Sequence, residues 1–221
     1  MATVAFTASE TLSGLPTVTI GGQTATVTNT GGNNYSATYT LQAADTEGNL
    51  PINIAFTDAA GNAGTAVTAT TNSSVVTFDK TVPTVALSST SATTVNDPFA
   101  VTATFSEAVT GFDISDITVG NGTPGNFVAV NATTYTFDVT PAADGNVTVD
   151  VAAAKATDTA GNNNSAATQL TRTADITAPT VALTSSAATT VNAPFAVTAT
   201  FSENVTGFDI SDITVGNGTP G

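Results

Sequence analysis

Apolar and polar residues alternate with a period of two along most of this chain. Phe99-Ala100-Val101-Thr102-Ala103-Thr104-Phe105 places Phe99, Val101, Ala103 and Phe105 on one face. Tyr135-Thr136-Phe137-Asp138-Val139 and Val147-Thr148-Val149-Asp150-Val151 repeat the pattern. Successive side chains of a strand point to opposite faces, so each run predicts a strand with one buried face. Further strands are predicted over 84–88, 117–119, 127–130 and 166–173. Segments rich in Asn, Asp, Gly and Pro separate them, at 131–134, 141–145 and 158–164. Those residues favour turns, so seven short strands in a two-layer sandwich are expected.

The pattern recurs. Residues 84–125 and 180–221 are nearly identical copies, about 96 residues apart, the length of one immunoglobulin-like sandwich. A diverged copy opens the chain. Val4 to Glu10 follows the layout of Val101 to Glu107, and Ala43-Ala44-Asp45 matches Ala142-Ala143-Asp144. Thr57-Asp58-Ala59-Ala60-Gly61-Asn62 matches Thr157-Asp158-Thr159-Ala160-Gly161-Asn162. Asp79-Lys80-Thr81-Val82-Pro83-Thr84 matches Asp175-Ile176-Thr177-Ala178-Pro179-Thr180. Proline fixes φ and removes a donor, which suits a linker entering an edge strand. The expected fold is therefore all-β, a tandem of immunoglobulin-like β-sandwich repeats. Residues 1–80 form a repeat lacking its first strand, 81–176 a complete repeat, and 177–221 the first three strands of a third. A half-sandwich cannot bury its own apolar face, so residues after 176 are expected to be mobile. The exception would be pairing of strand 180–184 with an open sheet edge of a neighbouring molecule.

Composition narrows the function. Charged residues are only 9% of the chain, against about a quarter in an ordinary domain, and strong helix formers are scarce. Net charge is −14 with only 3 Lys and Arg, which excludes nucleic acid and anionic membrane surfaces as partners. A divalent cation is the natural counter-partner. There is no Cys and no His, which removes thiol, imidazole and zinc–thiolate chemistry, and no set of residues supports an enzyme. No apolar run approaches the length of a membrane span. No signal-peptide pattern follows Met1, so an export signal is expected outside this segment.

Three motifs in order, Phe-Ser-Glu-x-Val-Thr-Gly-Phe-Asp-Ile-Ser-Asp-Ile, Asp-Thr-Ala-Gly-Asn and Asp-x-Thr-x-Pro-Thr, resemble bacterial Ig-like repeats of giant surface adhesins. They are similar to stalk repeats of biofilm-associated and type-I-secreted adhesins, over essentially the whole chain. The first copy departs from the pattern with Ala8 in place of Phe105 and Phe201. The resemblance implies an extracellular, cell-surface spacer with calcium in its joints, packed against neighbouring repeats and carrying its tip ligand elsewhere. The alternative is a module that itself binds carbohydrate or another copy. Against that stand the absence of Trp and the presence of only 3 Tyr.

Topology suggests where an ion would sit. In such a sandwich the loops at 106–113 and 158–164 share the end where the chain enters. Asp79 of the linker is therefore expected beside Glu107, Asp158 and Asn162, with Asp45 approaching from the preceding repeat. An oxygen-rich, cation-poor set of this kind is what calcium requires. The competing explanation is that these Asp and Asn residues only form turns. Asp45 and Asp144 suit that explanation, and Asp113 and Asp116 suit local capping of their loop. Asp175 and Glu203 would be an incomplete second set. The glycine-rich run 120–125 precedes no helix and holds no Lys, so it is no phosphate cradle. Asp113 and Asp116 lie on one loop and cannot flank a glycosidase cleft. Lys80 and Lys155 lack the context of an isopeptide bond, and Asn131-Ala132-Thr133 is a glycosylation triplet of a kind common by chance in such a chain.

Overall fold

The structure, a computed structural model, describes residues 1–221. Eight strands come first: β1 (Ala2–Thr7), β2 (Thr17–Ile20), β3 (Gln23–Thr24), β4 (Thr26–Gly31), β5 (Asn34–Tyr39), β6 (Gly48–Asn49), β7 (Ile52–Ala55) and β8 (Thr77–Phe78). The middle repeat holds β9 (Val85–Ser88), β10 (Thr94–Val95), β11 (Phe99–Phe105), β12 (Ile117–Gly120), β13 (Gly122–Asn131), β14 (Thr134–Pro141), β15 (Gly145–Val151) and β16 (Leu170–Ala174). β17 (Val181–Thr184) and β18 (Thr198–Phe201) close the list. The only helices are two 3-10 turns, η1 (Ile114–Asp116) and η2 (Ile210–Asp212). The fold is all-β, as the alternation requires.

The middle repeat is a two-sheet sandwich. One sheet runs β13-β14-β11-β9 and the other β10-β16-β15-β12. β10 pairs with β16 in parallel, so the chain switches sheets between β9 and β10. The alternation did not reveal β10, because its two residues are too short a run to show a period. The inner faces carry the core. Val101, Ala103, Phe137, Val139, Val147, Val149 and Val151 are almost wholly buried. Phe105, Phe112, Phe127 and Tyr135 form an aromatic cluster at one end, with Phe105 edge-on to Phe112 at 5.1 Å and to Tyr135 at 5.8 Å.

The first repeat repeats this plan with a smaller core of Val18, Ile20, Ala25, Ala37, Leu50 and Ile54. β1-β5-β4 corresponds to β11-β14-β13, and β2 and β7 correspond to β12 and β15. Gly21 and Gly22, at φ +61° and +80°, turn β2 back into β3. Two glycines at positive φ match the twist of the flanking strands, the usual demand of a two-residue hairpin. Beside β1 lies a cavity of about 750 Å³ lined by Val4, Phe6, Ile52, Ile54 and Phe56.

The last repeat forms two of its three expected strands. β17 pairs with β18, Val181 opposite Phe201, in the register that joins Val85 to Phe105 in the middle repeat. Phe201 and Phe208 also stack edge-on at 5.0 Å, as Phe105 and Phe112 do. The third strand expected there is not formed at 213–215. Its counterpart β12 is held only by β15, and a strand without a partner leaves its backbone groups to water. Leu183 is 70% and Phe195 56% exposed, since no second sheet covers them.

Candidate cation site at the joint between repeats

The loop from Asp158 to Asn162 builds itself. The Asp158 carboxylate accepts from the Asn162 backbone N–H at 2.8 Å and from the Asn162 side-chain amide at 2.8 Å. The Asp158 N–H donates to the Asn162 carbonyl at 3.1 Å, and Gly161 takes φ +93°. Asp58, Gly61 and Asn62 make the same turn in the first repeat, again with φ +93° at the glycine. The turn explanation for these residues therefore holds in both repeats. In the middle repeat the same carboxylate does more.

A carboxylate oxygen from each of Asp79, Glu107 and Asp158 lies within 4.8 Å of the other two. They arrive from the linker, the loop after β11 and the loop after β15. Asp158 is only 5% exposed, and the other two are partly buried. Backbone pairing sets these approaches. Ser106 N–H donates to the Thr84 carbonyl at 2.9 Å, and Thr84 N–H returns to the Ser106 hydroxyl at 3.0 Å. Ser165 N–H donates to the Pro83 carbonyl at 2.9 Å. The linker is thus sewn to both loops. Asn162 donates its amide to the Asp79 carbonyl at 3.2 Å and to Asp158. Its place is as a brace between two acids, with its amide donating.

Asp45 is not brought into this set. Its carboxylate accepts from the Tyr39 hydroxyl at 3.0 Å and from Gln42 N–H at 2.7 Å, so it caps its own turn. The residue that reaches the joint from the first repeat is Glu47. It accepts from Lys80 N–H at 2.8 Å and from the Thr81 hydroxyl at 3.0 Å. Asp144 makes the corresponding clamp at the next joint, accepting from Ile176 N–H and the Thr177 hydroxyl. Glu47 and Asp144 each precede a glycine of nearly equal φ, +115° at Gly48 and +116° at Gly145. Aligning on that glycine, rather than on Ala-Ala-Asp, finds Glu47. Asp175 and Glu203 line one cavity at the second joint. Asp113 and Asp116 cap η1 reciprocally.

The electrostatics divide the acids. Burial, and then the negative charges of Asp79, Asp158 and Glu47, push the Glu107 carboxyl up. Burial also raises Asp158, but the hydrogen bonds from Asn162, Gly161 and Ala160 outweigh it and hold the group below its ordinary value. Lys80 N–H and then Thr81 hold Glu47 down. A raised folded-state pKa means stability present at low pH and lost as pH rises through that value. The lowered acids contribute stability above the ordinary carboxyl range, lost as pH falls through theirs. Without added metal, Glu107→Gln is therefore expected to raise the unfolding midpoint at neutral pH. A variant less stable than the parent in chelator would contradict this.

Three carboxylates offer hard oxygen donors with no nitrogen or sulfur among them, which fits calcium or magnesium and not zinc. The sandwich topology and this joint define a tandem immunoglobulin-like protein. The bacterial Ig-like domain family matches residues 79–174 and 175–221, more than half of the chain, and the chain belongs to that family. No curated protein matches it. Among solved structures, a Bacteroides ovatus mixed-linkage glucan utilization locus SGBP-B, in complex with a mixed-linkage heptasaccharide, aligns at 19% identity and a TM-score of 0.25. The alignment covers 81% of this chain and 43% of that one.

Proposed function

We propose that this chain is an extender segment of a bacterial cell-surface adhesin, a spacer between the cell and an adhesive tip, stiffened by calcium at its joints. The observation that carries the reading is the meeting of Asp79, Glu107 and Asp158 at the boundary between two repeats. An ion there would tie the linker to two loops of the following repeat and offset the burial, and then the repulsion, that raise Glu107. Burial of the aromatics supports a spacer over a glycan-binding module. Every Phe and Tyr before residue 177 is buried or partly buried, so the first two repeats present no fully exposed ring for a sugar to stack on. On this reading the segment works outside the cell and catalyses nothing.

Calorimetric titration of the whole chain tests the proposal. Calcium is expected to bind with a Kd of roughly 10⁻⁴–10⁻³ M, the range of extracellular modules. Asp79→Ala should abolish one binding event while leaving the strand content unchanged. Small-angle scattering should show the chain moving to a different mean bend in chelator, because both cores stay intact. Equal heats in parent and variant, or scattering profiles that overlay with calcium and with chelator, would overturn the reading.

A further inference from the structure

The chain has only three basic side chains, and each is spent on an internal contact. Lys155 pairs with Asp116 at 3.4 Å, and Arg172 donates to the Ser89 carbonyl at 2.9 Å. Lys80 stands in the linker. Its ammonium donates to the Ala43 carbonyl at 2.7 Å and the Asp45 carbonyl at 2.8 Å, and lies 5.8 Å from the centre of the Phe78 ring. Its own N–H and the Thr81 hydroxyl are held by Glu47. A two-residue stretch thus makes contacts from backbone and both side chains to the turn after β5. Two residues further on, the linker is bonded to the middle repeat through Pro83 and Thr84.

We infer that Lys80 is a built-in, cation-independent lock on the first joint, fixing the linker to the first repeat before any metal arrives. At the second joint Ile176 holds the matching position. The Asp144 clamp is retained there, but no ammonium reaches the turn carbonyls. The two joints are therefore unequal, the first preset and the second freer. Inter-repeat motion is the default for a small polar interface, and charge-assisted hydrogen bonds are the stronger kind of restraint against it. The lock is separate from the carboxylate set: it acts on Ala43 and Asp45 carbonyls, and it stands whether or not calcium binds.

The chain has no cysteine, so spin labels can be placed at will. Thr26→Cys and Ala129→Cys are exposed positions on either side of the first joint. Pulsed dipolar spectroscopy on the full chain in chelator should give one narrow distance distribution. Lys80→Met keeps the apolar stem and removes the ammonium, and is expected to broaden the distribution and lose the single maximum. Lys80→Arg should restore it. Hydrogen exchange on β5 and β14 accompanies each measurement. A parent distribution already broad in chelator would overturn the lock, as would a Lys80→Met distribution as narrow as the parent's. Broadening together with lost protection in β5 would make Lys80 a residue of the fold and equally overturn it. Calcium titration of the same samples reports on the spacer reading separately.

Discussion

Phe105→Ala is expected to destabilise the middle repeat by about 3–5 kcal/mol, the cost of emptying a buried aromatic site. For a domain of this size that lowers the melting temperature by more than about 12 °C. Phe105 is 3% exposed and meets both Phe112 and Tyr135 edge-on, so the cavity opens against the aromatic cluster. The loss should reach the joint as well. Ser106 follows directly and bonds Thr84, and Glu107 follows that. On the proposed reading, calcium affinity at the joint should therefore fall although none of Asp79, Glu107 and Asp158 is changed. Thermal unfolding followed by circular dichroism, and calorimetry on the same variant, give the two readings. A melting temperature within a few degrees of the parent's would contradict the packing account.

Asn164→Ala is expected to cost about as much, through polar groups. Asn164 is 2% exposed, and its side chain satisfies four backbone partners. The carbonyl oxygen accepts from Lys155 N–H and Ala156 N–H, each at 2.7 Å. The amide donates to Ala152 and Ser165 carbonyls at 3.1 Å and 2.7 Å. A buried group left unpaired costs about 1–3 kcal/mol; Ala156 is buried, whereas Lys155, Ala152 and Ser165 reach water in part, so the total should be about 3–5 kcal/mol, read from urea unfolding. The first repeat solves the same place differently. Gly64 is the counterpart of Asn164, and a Cβ built on it would clash with the Phe56 ring. Phe56 occupies the position of Ala156. An aromatic ring with a glycine thus replaces an amide with an alanine. The double variant Ala156→Phe, Asn164→Gly should be less destabilised than the sum of its single changes. Additive losses would show that the two solutions are not exchangeable.

The strands of the middle repeat were legible because period-two alternation is a direct consequence of pleating, and each long run has one dry face. Phe99 to Phe105 alternates in sequence and in burial alike. β10 escaped, since two residues carry no period. The expected third strand of the last repeat failed for a different reason. Residues 213–215 are the same Ile-Thr-Val that forms β12, but a strand is a pair, and β15 has no counterpart there.

The candidate site divides in the same way. The turn chemistry of Asp58 and Asp158 is local: hydrogen bonds reach four residues along the chain, so sequence alone determines it. Repeats, all-β class, acidity and the end of the sandwich where the acids gather were likewise in the sequence. Only the tertiary structure decided which acids meet. Asp45 and Glu47 are near neighbours in one turn, yet Tyr39 and Gln42 draw the first inward while the linker takes the second. Asp79 and Asp158 are far apart in the chain, and their approach depends on the pairing of Thr84 with Ser106 and of Pro83 with Ser165. Alternation reports which face of a strand is dry. It carries no term for the length of a turn, and at this joint the turn after β5 selects the residue that faces the next repeat.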